Sequence, residues 1–347
     1  MKYRLCLLLF FVHSVANAQT LGGGSVFSFL KLPASPQLTA LGGVNTSQPS
    51  NDIGLAFNNP SLLTDQMHTQ FTAVFNNYYS GVHVYHAAMG YHLDKLNTNI
   101  AYGLQYFDYG SITATDASGN VLGQFRPVDW VMQVSASHAF YERWNAGGSL
   151  KYIHSAYDVY RSNGIALDAG VHYKDSTGLF SASLLVKNLG FQLKEYAGTR
   201  PDDLPFDLQV GFTKRLKDAP FSFSVTAHHL HQYNIRYSDT TFNNDNGYAN
   251  GSDKKITLDK LFRHFVFATT IYGGDKIEVT AAYNYLRRQE LKIGAGGNGI
   301  TGFSLGVAVL FPKLQIRYGR AWYQNATGYN QLGVNMRLDR LVGLGKR

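Results

Sequence analysis

The most regular feature of the chain is an alternation between large apolar residues and small or polar ones. Between residues 299 and 311, Phe303, Leu305 and Val307 occupy every second position, and Ser304 lies among the residues between them. The same period of two recurs in segments 100–106, 130–137, 165–173, 206–213, 277–285 and 331–338. A period of two puts successive side chains on opposite faces of a β-strand, so these segments are predicted strands with two different environments.

The lengths of strands and connections favour a membrane barrel over a soluble sandwich, which alternates in the same way. The predicted strands run for about 10 to 13 residues, whereas soluble strands average about 5 or 6. A tilted strand needs about 9 to 11 residues to cross hydrocarbon. Tight turns are expected near 93–97, 140–144, 174–178, 216–220, 273–276 and 311–313. Longer connections are expected at 108–127, 157–163, 188–205, 231–261, 286–299 and 323–327, and only 77–81 breaks the pattern.

These features predict an all-β fold, a transmembrane antiparallel β-barrel of about 14 strands with an N-terminal hatch segment. The barrel is assigned to residues 69–338 and a basic C-terminal tail to residues 339–347. Closure is expected because each unpaired backbone group at a sheet edge in hydrocarbon costs several kcal/mol. A secreted sandwich or propeller is the alternative. The predicted location of the barrel is the bacterial outer membrane.

Aromatic residues near the predicted strand ends are expected to form girdles at the lipid headgroups. The candidates are Tyr91, Tyr109, Tyr141, Trp144, Tyr173, Trp322 and Tyr323.

The first residues have the pattern of a bacterial signal peptide. Lys2 and Arg4 precede a short apolar run, and an Ala-Asn-Ala sequence ends at residue 18, so residues 1–18 are assigned to the leader. Cys6, the only cysteine, falls within it, which excludes a thiolate metal site from the mature chain. The net charge is +8, but no basic run with interleaved aromatics suggests nucleic acid. No cofactor is expected.

Residues 19–68 do not alternate and are assigned to the hatch. Within them, Asn58, Asn59 and Pro60 are expected to form a turn that opens a short helix, with Pro60 at its first position. Such a segment fits inside a barrel of about 14 strands, because the lumen is too wide for the wall side chains to fill.

The same segment carries a resemblance to a known family. The stretches 24–33, 40–43 and 56–63 resemble PorQ proteins, which are outer-membrane components of the Bacteroidetes type IX secretion system, and more broadly the PorV and FadL barrels. The resemblance implies a noncatalytic role in the attachment complex, in which the barrel anchors a PorZ-like surface protein. The other implied partners are PorU, PorV and the surrounding lipid and lipopolysaccharide.

Candidate chemistry outside the hatch is limited. His228, His229 and His231 cluster at a predicted strand end, and alternation allows only His229 and His231 to share a face. A zinc site needs a third ligand, which the sequence does not supply. We therefore predict no metal site and no catalytic residues, although a barrel enzyme that uses these histidines is the open alternative. Three charged residues, Asp168, Glu278 and Arg317, are expected to face the lumen.

Two long outer loops, 188–205 and 231–261, are expected to serve function, since loops of more than about 12 to 15 residues in compact folds usually do so or are disordered. The second loop is rich in apolar and aromatic residues, which are expected to bind the partner: Tyr233, Ile235, Tyr237, Phe242 and Tyr248. A FadL-like channel for hydrophobic small molecules is the alternative function. It requires an apolar pocket beside the hatch and an opening in the wall.

Overall fold

The computed structural model describes residues 25–78, 81–235, 257–291, 299–323 and 328–345. Within these residues, no helix is both long enough and apolar enough to cross a membrane.

Fourteen antiparallel strands form a closed barrel, which confirms the predicted all-β barrel of about 14 strands. They are β1 (Gln70–Asn77), β2 (His83–Leu93), β3 (Thr98–Asp108), β6 (Val128–Phe140), β7 (Trp144–Tyr157), β8 (Tyr160–Lys174), β9 (Phe180–Lys194), β10 (Asp207–Arg215), β11 (Phe221–Ala227), β12 (Phe265–Gly273), β13 (Ile277–Asn284), β14 (Phe303–Leu310), β15 (Leu314–Trp322) and β16 (Gly328–Arg337). Each strand pairs with its neighbours along the chain, and β1 pairs with β16 to close the ring.

The barrel is apolar outside and polar inside, the reverse of a soluble core. Leu305 on β14 is 47% exposed, whereas its neighbour Ser304 is fully buried. On β6, Met132 is 55% exposed and its neighbour Gln133 is buried. Lipid solvates such an apolar outer surface, and the polar inner surface needs hydrogen-bonding partners. This inversion identifies the outer wall as a lipid-facing surface.

The two ends of the barrel differ in their connections. At one end, named the turn end, the connections are 94–97, 141–143, 175–179, 216–220, 274–276 and 311–313. At the other end, named the loop end, they are 78–82, 109–127, 158–159, 195–206, 228–264, 285–302 and 323–327. Because the short turns of such barrels face the periplasm, the turn end is the periplasmic one.

Three expected connections differ from those observed. The expected long connection at 157–163 is a two-residue turn between β7 and β8, in which Asp158 has a φ of 55°. The loop expected at 188–205 begins only after Lys194, because β9 continues past residue 188. The strand expected to reach Tyr285 ends at Asn284, whose side chain caps a short helix by accepting a hydrogen bond from the Arg287 amide.

Elements outside the barrel wall are short. A hairpin of β4 (Ile112–Thr115) and β5 (Val121–Phe125) extends the connection between β3 and β6 and was not predicted. The α-helices are α1 (Pro36–Ala40), α2 (Ile53–Asn58), α3 (Leu258–Phe262), α4 (Tyr285–Glu290) and α5 (Leu338–Leu341). Single turns of 3-10 helix span Ser28–Lys31, Pro60–Leu62, Asp65–Met67 and Asp94–Leu96.

Residues 25–69, named the N-terminal segment, contact the inward-facing side chains of the wall. Side-chain caps start its two α-helices: Ser35 accepts from the Leu38 amide, and Asp52 accepts from the Gly54 amide. Helix α1 lies against β13 to β16, and α2 lies against β1 and β2. Most of the segment is buried although its helices are short, so packing against the barrel, rather than helix propensity, holds them in place.

The segment leaves the lumen at the turn end, where the C-terminal residues meet it. The Leu338 amide donates to the Thr69 carbonyl, and the Asp339 side chain accepts from the Thr69 hydroxyl at 2.8 Å. His68 pairs with the Gly345 carbonyl at 2.8 Å. Part of the predicted basic tail is therefore packed against the start of β1.

The predicted girdle is only partly correct. At the turn end, Tyr91 and Trp144 are about two-fifths exposed and Tyr141 is 85% exposed, as a girdle requires. At the loop end, Tyr109 instead donates a hydrogen bond to Asp129. Tyr323 packs against the buried Tyr329. Position near a strand end does not distinguish an outward ring from one that turns into the lumen.

Candidate functional site

The filled lumen is the first candidate site, and glycines make room for it. On β7, Gly147 lies so close to the Pro60 carbonyl that an added Cβ would overlap it. On β15, a Cβ added to Gly319 would likewise overlap the Pro36 carbonyl. Both glycines mark close approach of the segment to the wall. In the sequence, these glycines are visible only as inward-facing strand positions that lack a polar side chain.

The Asn58–Pro60 motif is buried and fully engaged. Asn58 donates to the Asn45 carbonyl at 3.0 Å, and Asn59 donates to the Thr46 carbonyl at 2.8 Å. The Asn59 side chain also accepts from the Ser61 amide and thereby caps the turn that Pro60 begins. The predicted turn is thus present, and its side chains tie two parts of the N-terminal segment together.

A cluster of buried charges lies where this motif meets the wall. Lys187 on β9 donates to the Asn58 side-chain oxygen at 2.5 Å. Lys151 on β7 pairs with Asp168 on β8 at 2.5 Å, and both side chains are almost completely buried. Asp168 also accepts from the Asn188 amide at 2.8 Å. The regular β8–β9 register shifts between Leu167 and Ala169.

The other predicted lumen charges are also inward and paired. Arg317 donates to Glu278 at 2.9 Å and to the Gln37 side chain at 2.9 Å. Arg317 is only 2% exposed. The pair therefore links two wall strands to helix α1.

The loop-end half of the lumen is filled by apolar side chains. Phe27, Phe29 and Leu30 of the segment pack with Val131 and Phe107 of the wall. The Phe29 and Phe107 rings lie 5.0 Å apart. We name this group the apolar seal. The remaining buried members are Val26, Val84, Ile153, Ala166 and Leu204.

Hydrogen bonds surround the apolar seal. The Val26 amide donates to the carbonyl of Asp203 in the outer loop 195–206 at 3.0 Å. Tyr109 donates to Asp129 at 2.5 Å. Burial, together with the Asp129 charge, raises the pKa of Tyr109 above its ordinary value, so the phenol stays protonated and keeps donating.

The turn-end half of the lumen holds a cavity of about 430 Å³. Polar and charged side chains line it, among them His92, Glu142, Arg143, His172 and Lys174. A much smaller space of about 20 Å³ lies deeper, beside Lys151, Lys187 and Phe57. It has room for about one water molecule.

The predicted histidine cluster forms, but with a different geometry. Strand β11 ends at Ala227, and His229 has a left-handed φ of 54°. The strand rule therefore does not apply, and the rings of His228 and His229 lie 4.7 Å apart. A third group, Asp207, lies beside them. Sequence spacing gave no signal for Asp207, because it comes from the neighbouring strand β10.

Only part of the predicted partner loop falls within the described residues. Tyr233 is 44% exposed, and its carbonyl pairs with a His264 ring nitrogen at 3.1 Å. Ile235 is partly buried. Tyr237, Phe242 and Tyr248 lie outside the described residues. The end of this loop forms α3, and Arg263, which directly follows this helix, pairs with Asp259 at 2.8 Å.

Sequence reasoning missed an exposed apolar surface at the loop end. Val121 and Leu122 on the β4–β5 hairpin are each 70% exposed although they are adjacent, so both faces of the hairpin are open. Leu258 and Phe262 on α3 are also exposed. The adjacent apolar pair of Val121 and Leu122 in this connection was the available signal.

No protein-family model matches the chain, and no curated protein sequence matches it. The fold is similar to solved barrels at low identity. A FadL homologue from Pseudomonas aeruginosa is 10% identical, with a TM-score of 0.49 over 88% of this chain and 98% of that one. The toluene transporter TodX from P. putida is 10% identical, with a TM-score of 0.48 over 88% and 97%. The outer membrane protein Omp33 from Acinetobacter baumannii is 11% identical, with a TM-score of 0.39 over 78% and 99%.

At these scores the likeness carries no statement about ligand or partner. The location follows from the barrel itself. Its wall is closed, apolar on the outside and polar on the inside. In a bilayer this arrangement pairs every strand with two neighbours and leaves no sheet edge in hydrocarbon. The chain is therefore a bacterial outer-membrane barrel.

Proposed function

We propose that this barrel is a noncatalytic membrane anchor that holds a surface protein at the loop end. In the finer form of the proposal, the barrel belongs to the attachment complex of the type IX secretion system. Its partners are then a PorZ-like protein, PorU and PorV. This more specific proposal rests on the resemblance of stretches 24–33, 40–43 and 56–63 to PorQ proteins.

The filled lumen is the observation that carries the anchor proposal. The N-terminal segment contacts the wall on opposite sides of the barrel, for example through Thr39 with Gln331 on β16 at 2.6 Å and through the Ser47 carbonyl with Ser181 on β9 at 2.8 Å. The apolar seal closes the loop-end half. A filled lumen obstructs the path of a solute, whereas the outer surfaces of the barrel stay available to a binding partner.

The exposed apolar side chains at the loop end supply a surface for the partner. Val121, Leu122, Leu258 and Phe262 lie on elements that project from the barrel wall. Aromatic residues are enriched at protein interfaces, and the fully buried centre of an interface is more apolar than the rest of a protein surface. The half-exposed Tyr233 lies in the same connection as α3.

The anchor proposal is tested by capturing the protein from detergent-solubilised outer membranes of its native cells. We expect mass spectrometry to identify a surface protein that co-purifies with the wild type. The double variant Val121→Ser, Leu122→Ser is expected to lose most of that partner. Leu96→Ser is the matched control, because Leu96 is equally exposed, at 66%, but lies at the turn end. Equal capture by the hairpin variant and the control would contradict the loop-end assignment.

A FadL-like channel for hydrophobic small molecules is the second candidate. The similar structures include a toluene transporter and a FadL homologue. In this chain, the observation that favours a channel is the small space beside Lys151 and Lys187, which is otherwise lined largely by Leu30, Leu38 and other apolar side chains. It lies next to the register shift in the β8–β9 pairing. A hydrophobic carboxylate fits this chemistry if the N-terminal segment moves aside.

Ligand binding separates the two candidates. The channel predicts that dodecanoate or toluene binds the delipidated protein in detergent and that Lys151→Met weakens dodecanoate binding at least tenfold. The anchor predicts no saturable binding of either probe and unchanged partner capture in Lys151→Met. Folding of each variant is checked by the mobility shift that boiling causes on a denaturing gel.

A further inference from the structure

A compact group of metal-ligand side chains lies at the loop end, outside the lumen contacts described above. Asp207 opens β10, while His228 and His229 follow the last residue of β11. One ligand atom from each of the three lies within 4.8 Å of the other two. Together they stand at the base of the longest connection, residues 228–264.

The backbone builds this group at a conformational cost. The left-handed φ of 54° at His229 is uncommon for a residue other than glycine, although histidine adopts it more often than most residues do. The Asp207 side chain stabilises it by accepting a hydrogen bond from the His229 amide at 2.6 Å. Asp207 is held in turn by Gln209, which donates to it at 2.6 Å. Such outer hydrogen bonds orient the ligands of metal sites.

The two imidazole rings bring their Nδ1 atoms together. The Nδ1 atoms of His228 and His229 face each other at 2.5 Å, where one ring nitrogen donates to the other. His228 is only 2% exposed, and its Nε2 has no hydrogen-bond partner.

We propose that Asp207, His228 and His229 bind one divalent transition-metal ion of the zinc class. Two imidazoles and one carboxylate suit zinc, nickel, copper or cobalt better than calcium or magnesium. The proposal is independent of the anchor and channel functions. The ion links the base of the 228–264 connection to β10.

The geometry needs only small adjustments to become tetrahedral. Ligand atoms bonded at about 2.0 to 2.1 Å to zinc lie about 3.3 Å apart in a tetrahedron. The two Nδ1 atoms are closer than this, whereas the His229 Nδ1 and the Asp207 carboxylate are farther apart, at 4.0 Å. Rotation of the His229 ring towards Asp207 changes both distances in the required direction. The His229 side chain is 27% exposed, so a fourth position is open to water.

The test measures Co²⁺ binding to the detergent-solubilised full chain, which is purified with a tag that contains no histidine. Tetrahedral Co²⁺ gives visible absorption bands, and Zn²⁺ competes for the same site. We expect one equivalent of Co²⁺ to bind to the wild type, with these bands, and to be displaced by Zn²⁺. Asp207→Asn and His229→Asn are expected to weaken binding at least tenfold. Asparagine is chosen at residue 229 because it tolerates the left-handed backbone.

His138→Ala is the matched control, because His138 is a wall histidine at the turn end that lies outside the cluster. It is expected to bind Co²⁺ like the wild type. The boiling-dependent gel shift and a circular dichroism spectrum show that each variant is a folded barrel. Absence of saturable Co²⁺ binding in the wild type would overturn the proposal. So would binding in both folded asparagine variants within twofold of the wild type.

Discussion

The two halves of the lumen are filled in different ways. At the loop end, Phe27, Phe29 and Leu30 make a dry apolar seal with the wall. At the turn end, the same N-terminal segment is held by hydrogen bonds around a polar cavity of about 430 Å³. Water can replace a lost hydrogen bond beside an open polar cavity but cannot replace lost apolar packing. The comparison therefore places the barrier to solute passage at the loop end.

The largest effect is expected where the two halves meet, at the buried pair of Lys151 and Asp168. Asp168→Asn leaves Lys151 buried without its carboxylate partner, and removing one partner of a buried pair typically costs about 3 to 5 kcal/mol. We expect the urea midpoint for unfolding in detergent micelles to fall strongly. Asp218→Asn is the control, because Asp218 is exposed in a tight turn. A midpoint equal to that of the control would show that this cluster does not hold the two halves together.

An effect of similar size is expected in the apolar seal. Phe29→Ala removes a ring that is only 7% exposed, and such truncations cost about 3 to 5 kcal/mol in a core. Much of the loss falls on docking of the N-terminal segment, so we expect the conductance of the protein in planar bilayers to rise.

Phe75→Ala is the control for the seal, because Phe75 is an outward ring that is 44% exposed. Its conductance should stay at the wild-type level. If Phe29→Ala also left the conductance unchanged, the seal would not be the barrier.

The smallest effect is expected at the turn end. Asn145 donates to the carbonyls of Ser61 and Leu63 at 2.7 and 2.9 Å and lines the polar cavity. In Asn145→Ala, water in the cavity can donate hydrogen bonds to both carbonyls. The free energy of unfolding is therefore expected to fall by about 1 kcal/mol, with no change in conductance. A conductance rise comparable to that of Phe29→Ala would abolish the distinction between the two halves.

The barrel could be predicted from the sequence because its signal is local. A period of two between residues 303 and 310 is enough to give a strand and its two faces. The two-residue turn at 158–159 was missed because Asp158 adopts a left-handed conformation without a glycine. The β4–β5 hairpin was missed because both of its faces are exposed, so its burial does not alternate.

The sites were less predictable because they depend on contacts between distant residues. The turn at Asn58–Pro60 follows from local preferences, and its contact with Lys187 does not. The metal-ligand group escaped prediction for two reasons. His229 has a left-handed backbone conformation, so the alternation of side chains along a strand does not apply to it. Asp207 lies on another strand and is therefore distant in the sequence.

The central claim is that the chain spans the outer membrane, with its loop end outside and its turn end in the periplasm. Two single-cysteine variants in a Cys6→Ser background test it through a bulky maleimide that cannot cross the membrane. Leu122→Cys marks the exposed loop-end hairpin, and Gln66→Cys marks an exposed position at the turn end. We predict that intact cells label only Leu122→Cys and that Gln66→Cys reacts only after the outer membrane is permeabilised. Equal labelling of both cysteines on intact cells would contradict the claim.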